Sequence, residues 1–358
     1  MRSGLLCFMH CVSAAIIHSG MLFVILQAKQ PAMKKSFARL FFLSLVFILC
    51  AAPTMNFNVM LPSAISFPDH IKSVAMIDRT MPDDNVLNVI EGGLTGEMIG
   101  EDKLATQILM DGVHSIMVNS ATLDFIRTPE VLEGASSVSA AFPAPLDWET
   151  INNLCSKYRV DAILAIEIFD SDFIIIPGAG QTVTVKTGIR MYDPATKNII
   201  DQYVFSHQMG IGGSINTLEA ALGSLMNKNT AIREVSYDAG VIYGRRISPY
   251  WYRVSRDYYR KSKGDHNLAE GARMMEVNDW DAARAALQRA VDTSKKRKTR
   301  GRAAHNLAVV YEIEGNLPEA KSWAQAAWGK YKNKKSRDYL YDINHRINQM
   351  QILEQQLD

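Results

Sequence analysis

Cysteine is scarce in this chain of 358 residues: three of its four cysteines, Cys7, Cys11 and Cys50, lie in or beside an apolar leader. Beyond residue 50 only Cys155 is left. One thiol cannot form an intrachain disulfide or a cysteine metal cluster, so a disulfide or metal framework is excluded for the body of the protein. Cys155 follows Leu154 in a predicted helix, which favours a buried thiol over a nucleophile.

The chain has no excess of one charge sign, because 39 basic residues oppose 37 acidic ones and leave a net charge of +2. Such a balance creates no overall positive field, and it argues against a nucleic-acid partner.

Motifs with a catalytic mechanism are also missing. The stretch 210–214 contains three glycines between a predicted strand and helix, but it has neither the full dinucleotide pattern nor a Gly-Lys-Ser/Thr ending. It therefore predicts a flexible turn rather than an anion site. His114 and His207 lack a nucleophile elbow or a paired-histidine metal spacing. We predict no catalytic residue and no cofactor.

Acidic residues near strand ends do not have the spacing of a calcium-binding loop. We interpret them as acids of turns and strand ends, and we predict no metal site. They are Asp170, Asp172, Asp193 and Asp201.

What the chain does contain is a helical pattern that occurs twice, offset by about 37 residues. Small residues stand where two antiparallel helices would touch, large ones fill the spaces opposite, and Gly315 marks the turn. The second copy is Ala308, Tyr311, Gly315, Leu317, Ala320, Ala324 and Ala327, and the first is Gly271, Met274, Trp280, Ala283, Leu287 and Ala290. The pattern resembles a tetratricopeptide repeat (TPR), whose standard unit is about 34 residues.

The repeats define the C-terminal part of the predicted organisation. We place two repeats at 264–334 and a C-terminal capping helix at 335–358, because an end repeat must cover one face of the stack. Basic stretches at 295–302 and 330–337 each follow the second helix of a repeat. We interpret them as cations in loops near helix C-termini; an anionic partner or a lipid headgroup surface is the alternative.

Before the repeats, 71–248 predicts a mixed α/β sandwich domain. A near-continuous apolar run from Val160 to Phe169 indicates a central strand covered on both faces. Apolar and polar residues alternate from Thr182 to Tyr192, which indicates a strand with one solvent-exposed face. Asp147 is placed to cap a helix. We expect four to five strands, so the fold class is α+β with an all-α repeat array after the sandwich.

Glu167 is the most unusual residue of this domain, because a carboxylate in a buried strand needs a partner or a raised pKa. Arg79, at the end of the first predicted strand, is a candidate partner. We favour a structural ion pair, and a ligand-binding carboxylate is the alternative.

A junction at 249–263 is dense in aromatic residues, which at a domain boundary more often pack in an interface than present a ligand platform. They include Tyr250, Trp251, Tyr258 and Tyr259.

The leader, 1–50, predicts export. Met33 opens a second apparent start, followed by the basic residues Lys34, Lys35 and Arg39 and an uncharged run to Leu49. This signal peptide at 33–49 with Cys50 after it resembles a bacterial lipoprotein signal, in which the cysteine is acylated. Leu49 departs from the small residue normally found there, so cleavage after Ala52 stays open.

Residues 1–32 contain their own apolar run, long enough to span a bilayer, and we interpret them as an upstream start assigned too early. A tether at 51–70, whose prolines oppose a long regular element, leads to the sandwich domain.

Several further stretches together resemble Bacteroidota-type lipoproteins in which a domain of unknown function precedes TPRs. These are 61–65, 71–80, 154–155, 161–162, 167–170, 190–193, 249–251 and 256–259. The resemblance implies localisation in the cell envelope and the two-part architecture, and it implies no catalytic residues. More loosely, the strand order around 161–205 looks like that of periplasmic lipoproteins that assist secretion or wall synthesis.

From this we expect a non-enzymatic scaffold, exported and anchored by lipid, in the outer membrane facing the periplasm. Protein partners would bind the repeats and the sandwich domain. The alternative is a periplasmic sensor or carrier that binds a small anionic or glycan ligand near Glu167 and Arg79.

Overall fold

The computed structural model describes residues 53–81, 96–134, 141–176, 180–211 and 228–357. The leader with Cys50, the glycines from Gly212 onward and the capping signal predicted at Asn216 lie outside these residues. None of the described helices is both long and apolar enough to cross a membrane.

The architecture is mixed α+β, with a sheet-rich N-terminal region before a helical C-terminal region. The strands are β1 (Thr54–Leu61), β2 (Ser73–Met81), β3 (Asp124–Glu133), β4 (Ala162–Ile176), β5 (Gly180–Asp193), β6 (Asn198–Ile211) and β7 (Tyr250–Asp257). The helices are α1 (Gly96–Met117), α2 (Trp148–Tyr158), α3 (Lys228–Ile247), α4 (His266–Glu276), α5 (Trp280–Thr293), α6 (Arg297–Ile313), α7 (Leu317–Gln325) and α8 (Lys334–Leu357), with a π-helical segment, Ala326–Lys330, after α7.

Two compact units divide the described chain. The sheet unit comprises Asn56–Val254, Tyr311–Gln325 and the described part of Lys334–Asp358. The helical unit comprises Ser255–Val310, Ala326–Asn333 and the described residues up to Met55. The domain boundaries given above from the sequence stay predictions.

A five-stranded sheet in the order β3-β2-β4-β5-β6 forms the centre of the sheet unit. β2 runs parallel to β3 and β4, whereas β4, β5 and β6 are antiparallel neighbours. The predicted central strand is confirmed, since β4 lies in the middle. One face of the sheet packs on α1 and α3 through residues such as Leu109 and Val235, and the other packs on α2 through Ile151 and Leu154.

Local signals account for the ends of several elements. Asp147 caps α2, as predicted, by accepting a hydrogen bond from the Thr150 amide at 2.8 Å. In the helical region, Asn278 (φ 60°) and Gly315 (φ 80°) both adopt the left-handed conformation, each in the turn before a helix. They are separated by the same offset as the two copies of the sequence pattern, so both turns use a residue that tolerates this backbone.

Three sequence-based expectations about elements were wrong. The tether predicted at 51–70 contains strand β1, because its prolines fall outside Thr54–Leu61. β3 extends through Pro129, which an edge strand tolerates. The basic stretch 295–302 lies only in part in a loop after a helix, because α6 begins at Arg297.

Candidate functional site

The bulge in β4 places Glu167 in the sheet interior. Ile166 pairs with Ile189 and Ile168 pairs with Gly188, so Glu167 is the extra residue between them. A bulge turns side chains away from simple alternation. Glu167 lies on the α2 side of the sheet, like Ile163 and Ala165 before it, and its carboxylate is fully buried.

Three side chains donate hydrogen bonds to this carboxylate. Arg79 Nη1 lies 2.9 Å from Oε1, and Arg190 Nη1 lies 2.8 Å from Oε2. The Tyr192 hydroxyl donates to Oε1 at 2.6 Å. Both arginines are buried, at 9% and 5% exposure. We call Glu167, Arg79, Arg190 and Tyr192 the buried ion cluster.

The cluster also binds the chain segment that precedes α2. Arg79 donates to the Ala144 carbonyl at 2.9 Å, and Arg190 donates to the Pro143 carbonyl at 2.9 Å. The Arg190 guanidinium lies 4.3 Å from the centre of the Phe142 ring. These contacts hold the segment against the sheet, so the cluster connects β2, β4 and β5 to a loop without helix or strand structure.

Burial raises the pKa of the Tyr192 hydroxyl, and its hydrogen bond to Glu167 adds to that effect. The raised pKa keeps the phenol protonated, so it stays a donor to the carboxylate. With two cations and a phenol on one carboxylate, the hydrogen-bonding capacity of Glu167 is largely used within the protein. The arrangement therefore forms a structural ion pair rather than an open ligand site.

The other candidate residues do not join this cluster. His207 lies 4.0 Å from Asp238 of α3, and Asp201 accepts hydrogen bonds from Arg246 and Tyr243 of the same helix. Because α3 packs on the opposite face of the sheet, neither residue reaches Glu167. The Gly212 part of the proposed glycine turn lies outside the described residues.

The acids considered as a cation site are dispersed. Asp193 accepts from His70 Nε2 at 3.0 Å and from Thr196 in the turn between β5 and β6. Burial raises the pKa of Asp170, and the neighbouring Asp172 raises it further. Across the part of the chain that the structure describes, no three potential metal ligands converge.

The aromatic residues of the junction have two different environments. Tyr258 is buried and donates to Glu276 at 2.6 Å, and Tyr259 hydrogen-bonds Asn306 through its backbone amide at 2.8 Å. Trp251 and Tyr252 are instead exposed, at 64% and 47%. Sequence reasoning expected packed aromatics at this junction; the two exposed rings differ because they lie on β7, which pairs with β1 alone in a two-stranded sheet.

One cavity of the sheet unit has a volume of about 70 Å³ and is lined by residues including Ser63, Ile71, Leu123 and Gln356. Sites for small molecules usually occupy about 300–1,000 Å³. This cavity has room for a few water molecules.

Cys155 lies on α2 and is buried, as the sequence indicated. Burial raises the pKa of its thiol to about 11, and the nearby charges of Asp161 and Asp193 also raise it. Because the thiolate is the reactive form, we expect Cys155 in the folded protein to react with iodoacetamide at pH 8 at least about 100-fold more slowly than a free thiol.

Peptide mass mapping of the alkylated protein measures this rate, and unfolding in guanidinium should restore it. The raised pKa also makes stability depend on pH, because the thiol ionises at a lower pH in the unfolded chain than in the folded protein. The stabilisation that comes from burying the neutral Cys155 thiol is complete below about pH 8.5 and is lost as the pH rises toward 11. Rapid alkylation of the folded protein at pH 8 would contradict the buried environment.

These features define a class: a mixed α+β protein whose sheet is fastened by a buried ion cluster and followed by a helical region. Residues 71–259 match the domain of unknown function DUF8603, and the chain belongs to that family. Residues 269–352 match a second domain of unknown function, DUF6340. No curated protein matches the chain.

Among solved structures, the PelC dodecamer from Paraburkholderia phytofirmans is 9% identical, with 54% of this chain and 99% of that chain covered and a TM-score of 0.24. The hypothetical protein CT253 from Chlamydia trachomatis is 11% identical, with 49% and 96% covered and a TM-score of 0.27. A minor lipoprotein from Acinetobacter baumannii is 8% identical, with 49% and 90% covered and a TM-score of 0.26. Similarity at this level does not bear on function.

Proposed function

We propose that this protein is a non-enzymatic lipoprotein of the bacterial cell envelope that serves as a scaffold for protein partners. The single observation that favours a binding surface is the exposed run Trp251-Tyr252-Arg253 on β7. Tryptophan, tyrosine and arginine are the residues most enriched where binding energy concentrates in protein interfaces. Here they stand consecutively on a strand with one hydrogen-bonded neighbour.

Support for localisation in the cell envelope comes from the sequence. A basic segment, an uncharged apolar run and Cys50 follow Met33 in the order of a lipoprotein signal. We propose acylation of Cys50 and a position at the outer membrane facing the periplasm. Cleavage after Ala52 would give a soluble periplasmic form of the same scaffold.

Support for TPRs comes from the helical unit and the turn after it. In the α4–α5 pair, a methyl group added at Gly271 would lie 2.6 Å from Leu287 Cγ, so the small residue permits close approach of these helices. Asp279 caps α5 through the Ala282 amide at 3.0 Å, and Asn316 accepts from the Glu319 amide at 3.2 Å in the equivalent position of the next turn. Close packing in the first pair and equivalent caps in both turns favour a short repeat array.

The carrier alternative receives no support from the described residues around Glu167. Its carboxylate is inaccessible and accepts from Arg79, Arg190 and Tyr192. A ligand would have to displace these donors and leave buried charges without partners, which is strongly unfavourable. We therefore assign the buried ion cluster to stability and binding to the surface.

The double variant Trp251→Ala/Tyr252→Ala is expected to lose a defined protein partner. Removal of two hot-spot aromatics typically weakens binding by about 2–4 kcal/mol, which is at least about 30-fold. The measurement is a pull-down from detergent-solubilised membranes with the full-length protein as bait, with each captured protein quantified by mass spectrometry.

Tyr341→Ala is the matched control, because Tyr341 is 78% exposed on α8 and its removal also deletes a surface aromatic. The control should retain the partner. An unchanged partner list for the double variant, with its melting temperature preserved, would count against the proposed surface. Deletion of the repeats provides a second comparison, and it should remove any partner that binds them.

A further inference from the structure

Two separate basic stretches meet on the surface of the helical unit. Lys296 Nζ donates to the Lys263 carbonyl at 2.8 Å, and Arg302 Nη1 donates to the Lys261 carbonyl at 2.8 Å. Between them, the Ser262 and Thr299 hydroxyls lie 2.8 Å apart. These contacts hold 261–263 against the first turns of α6. The exposed cations brought together are Lys261, Lys263, Lys295, Lys296, Arg297 and Lys298, which we call the basic patch.

The patch lies close to the point where the chain enters the helical unit. The Tyr258 amide donates to the Pro53 carbonyl at 3.1 Å, so Pro53 is held beside Tyr258, which is three residues before Lys261. Cys50 precedes Pro53 by three residues, a span of at most about 11 Å even when fully extended. A lipid on Cys50 would therefore hold this end of the helical unit near the membrane surface.

The dipole of α6 does not account for the patch cations that lie in its first turn. Arg297 and Lys298 occupy the first turn of α6, which contains no acidic residue. Cations there face the positive end of the helix dipole and are unfavourable. The interpretation that the stretch 295–302 complements a helix C-terminus therefore applies only to Lys295 and Lys296, which follow the end of α5, and is wrong for 297–302.

Carboxylates near the patch bind groups outside it. Asp265 caps α4 by accepting from the Leu268 amide at 3.0 Å, and Glu276 pairs with Arg260 at 2.8 Å. No ion pair to a carboxylate occurs at Lys261, Lys263, Lys295 or Lys298 within the described ranges. The patch therefore keeps a net positive charge beside the proposed anchor.

We propose that the basic patch binds the headgroups of anionic phospholipids around the Cys50 anchor. This inference rests on the proposed lipid anchoring. A single acyl signal usually needs a second, electrostatic one for stable and oriented attachment. Each basic residue at an anionic membrane surface strengthens binding by about 5-fold. The patch would thus fix the orientation of the helical unit on the membrane.

Lysine labelling on vesicles tests the proposal. The full-length protein, purified from membranes, is reconstituted on vesicles of phosphatidylcholine alone or with 30% phosphatidylglycerol, an amount on the order of that in anionic membranes. We expect an amine-reactive acetylating reagent to modify Lys261, Lys263, Lys295 and Lys298 at least about 5-fold more slowly on the anionic vesicles. High salt should abolish the protection, because the interaction is screened.

Lys72, Lys103 and Lys197 are exposed lysines of the sheet unit, and their labelling is the internal control. Their rates should be the same on both vesicle types. A variant with the four patch lysines changed to glutamine should lose salt-sensitive binding to anionic vesicles, whereas glutamine at the three control lysines should preserve it. Equal labelling of patch and control lysines on both vesicle types would overturn the proposal.

The mass of the peptide that contains Cys50 reports acylation separately. If Cys50 carries no lipid, the proposed anchoring fails, and the labelling is repeated with the unanchored protein in excess vesicles. Protection in that case still supports lipid binding by the patch, and its absence overturns it. Protection by a soluble acidic polypeptide, without any effect of anionic vesicles, would assign the patch to a protein partner and would also overturn the proposal.

Discussion

Replacing Glu167 with glutamine is expected to lower the free energy of unfolding by about 3–5 kcal/mol, because it leaves two buried guanidinium groups without a counter-charge. Arg79 and Arg190 both donate to the Glu167 carboxylate and are almost fully buried. Glutamine has nearly the same shape as glutamate, so the change in unfolding free energy reports the loss of the charge and not a change in side-chain volume. Denaturant unfolding followed by circular dichroism measures the difference.

Glu130→Gln is the matched control. Glu130 also accepts from a cation and a tyrosine, Lys157 at 2.5 Å and Tyr158 at 2.7 Å, but Lys157 is 57% exposed. Exposed ion pairs contribute about 0–1 kcal/mol, so this variant should change stability little. If Glu167→Gln also shifts the unfolding free energy by less than 1 kcal/mol, on the order of an exposed pair, the buried ion cluster does not have the structural role assigned to it.

Replacing Gly112 with alanine is expected to destabilise the protein by about 2 kcal/mol or more, although alanine is the better helix former. A Cβ atom at Gly112 would overlap the Tyr237 carbonyl oxygen and would lie 3.0 Å from Gly240 Cα. Both of these belong to α3, which packs directly on α1. The backbone contact leaves no flexible side chain to move aside.

Gly329→Ala provides the comparison, because a Cβ atom there would meet no atom within 4 Å. Helix propensity predicts that alanine stabilises by up to about 1 kcal/mol at a helical position with free space. The two substitutions should therefore have opposite signs or clearly different sizes in the same unfolding assay. A stabilising effect of Gly112→Ala would show that α1 and α3 do not approach as closely as described.

The sequence predicted those parts of the fold that depend on local rules. Alternation and apolar runs located β4 and β5, Asp147 marked the start of α2, and the repeat offset matched the left-handed residues Asn278 and Gly315. Each of these signals acts over a few residues. Arg79 was considered as a partner of Glu167 because a buried carboxylate needs one, and the two residues lie 2.9 Å apart.

Features that depend on distant contacts were not predictable in this way. Arg190 and Tyr192 complete the buried ion cluster, although the alternation of β5 indicated that one face of this strand is exposed to solvent. The chain segment that precedes α2 covers Arg190 and decides its burial. The need for glycine at position 112 comes from its contact with α3, which no local signal reports. Pairing of β1 with β7 joins residues nearly 200 positions apart, and no local pattern reports it.

The central claim, that the protein binds a protein partner through its exposed β7 surface, is tested most directly by photo-crosslinking in intact cells. A photoreactive phenylalanine analogue is placed at Trp251, with the same analogue at Tyr341 as the control position. We expect a discrete crosslinked protein band from position 251, identified by mass spectrometry and absent from the control. A chain that is expressed and folded but gives no protein adduct from position 251 would contradict the scaffold function.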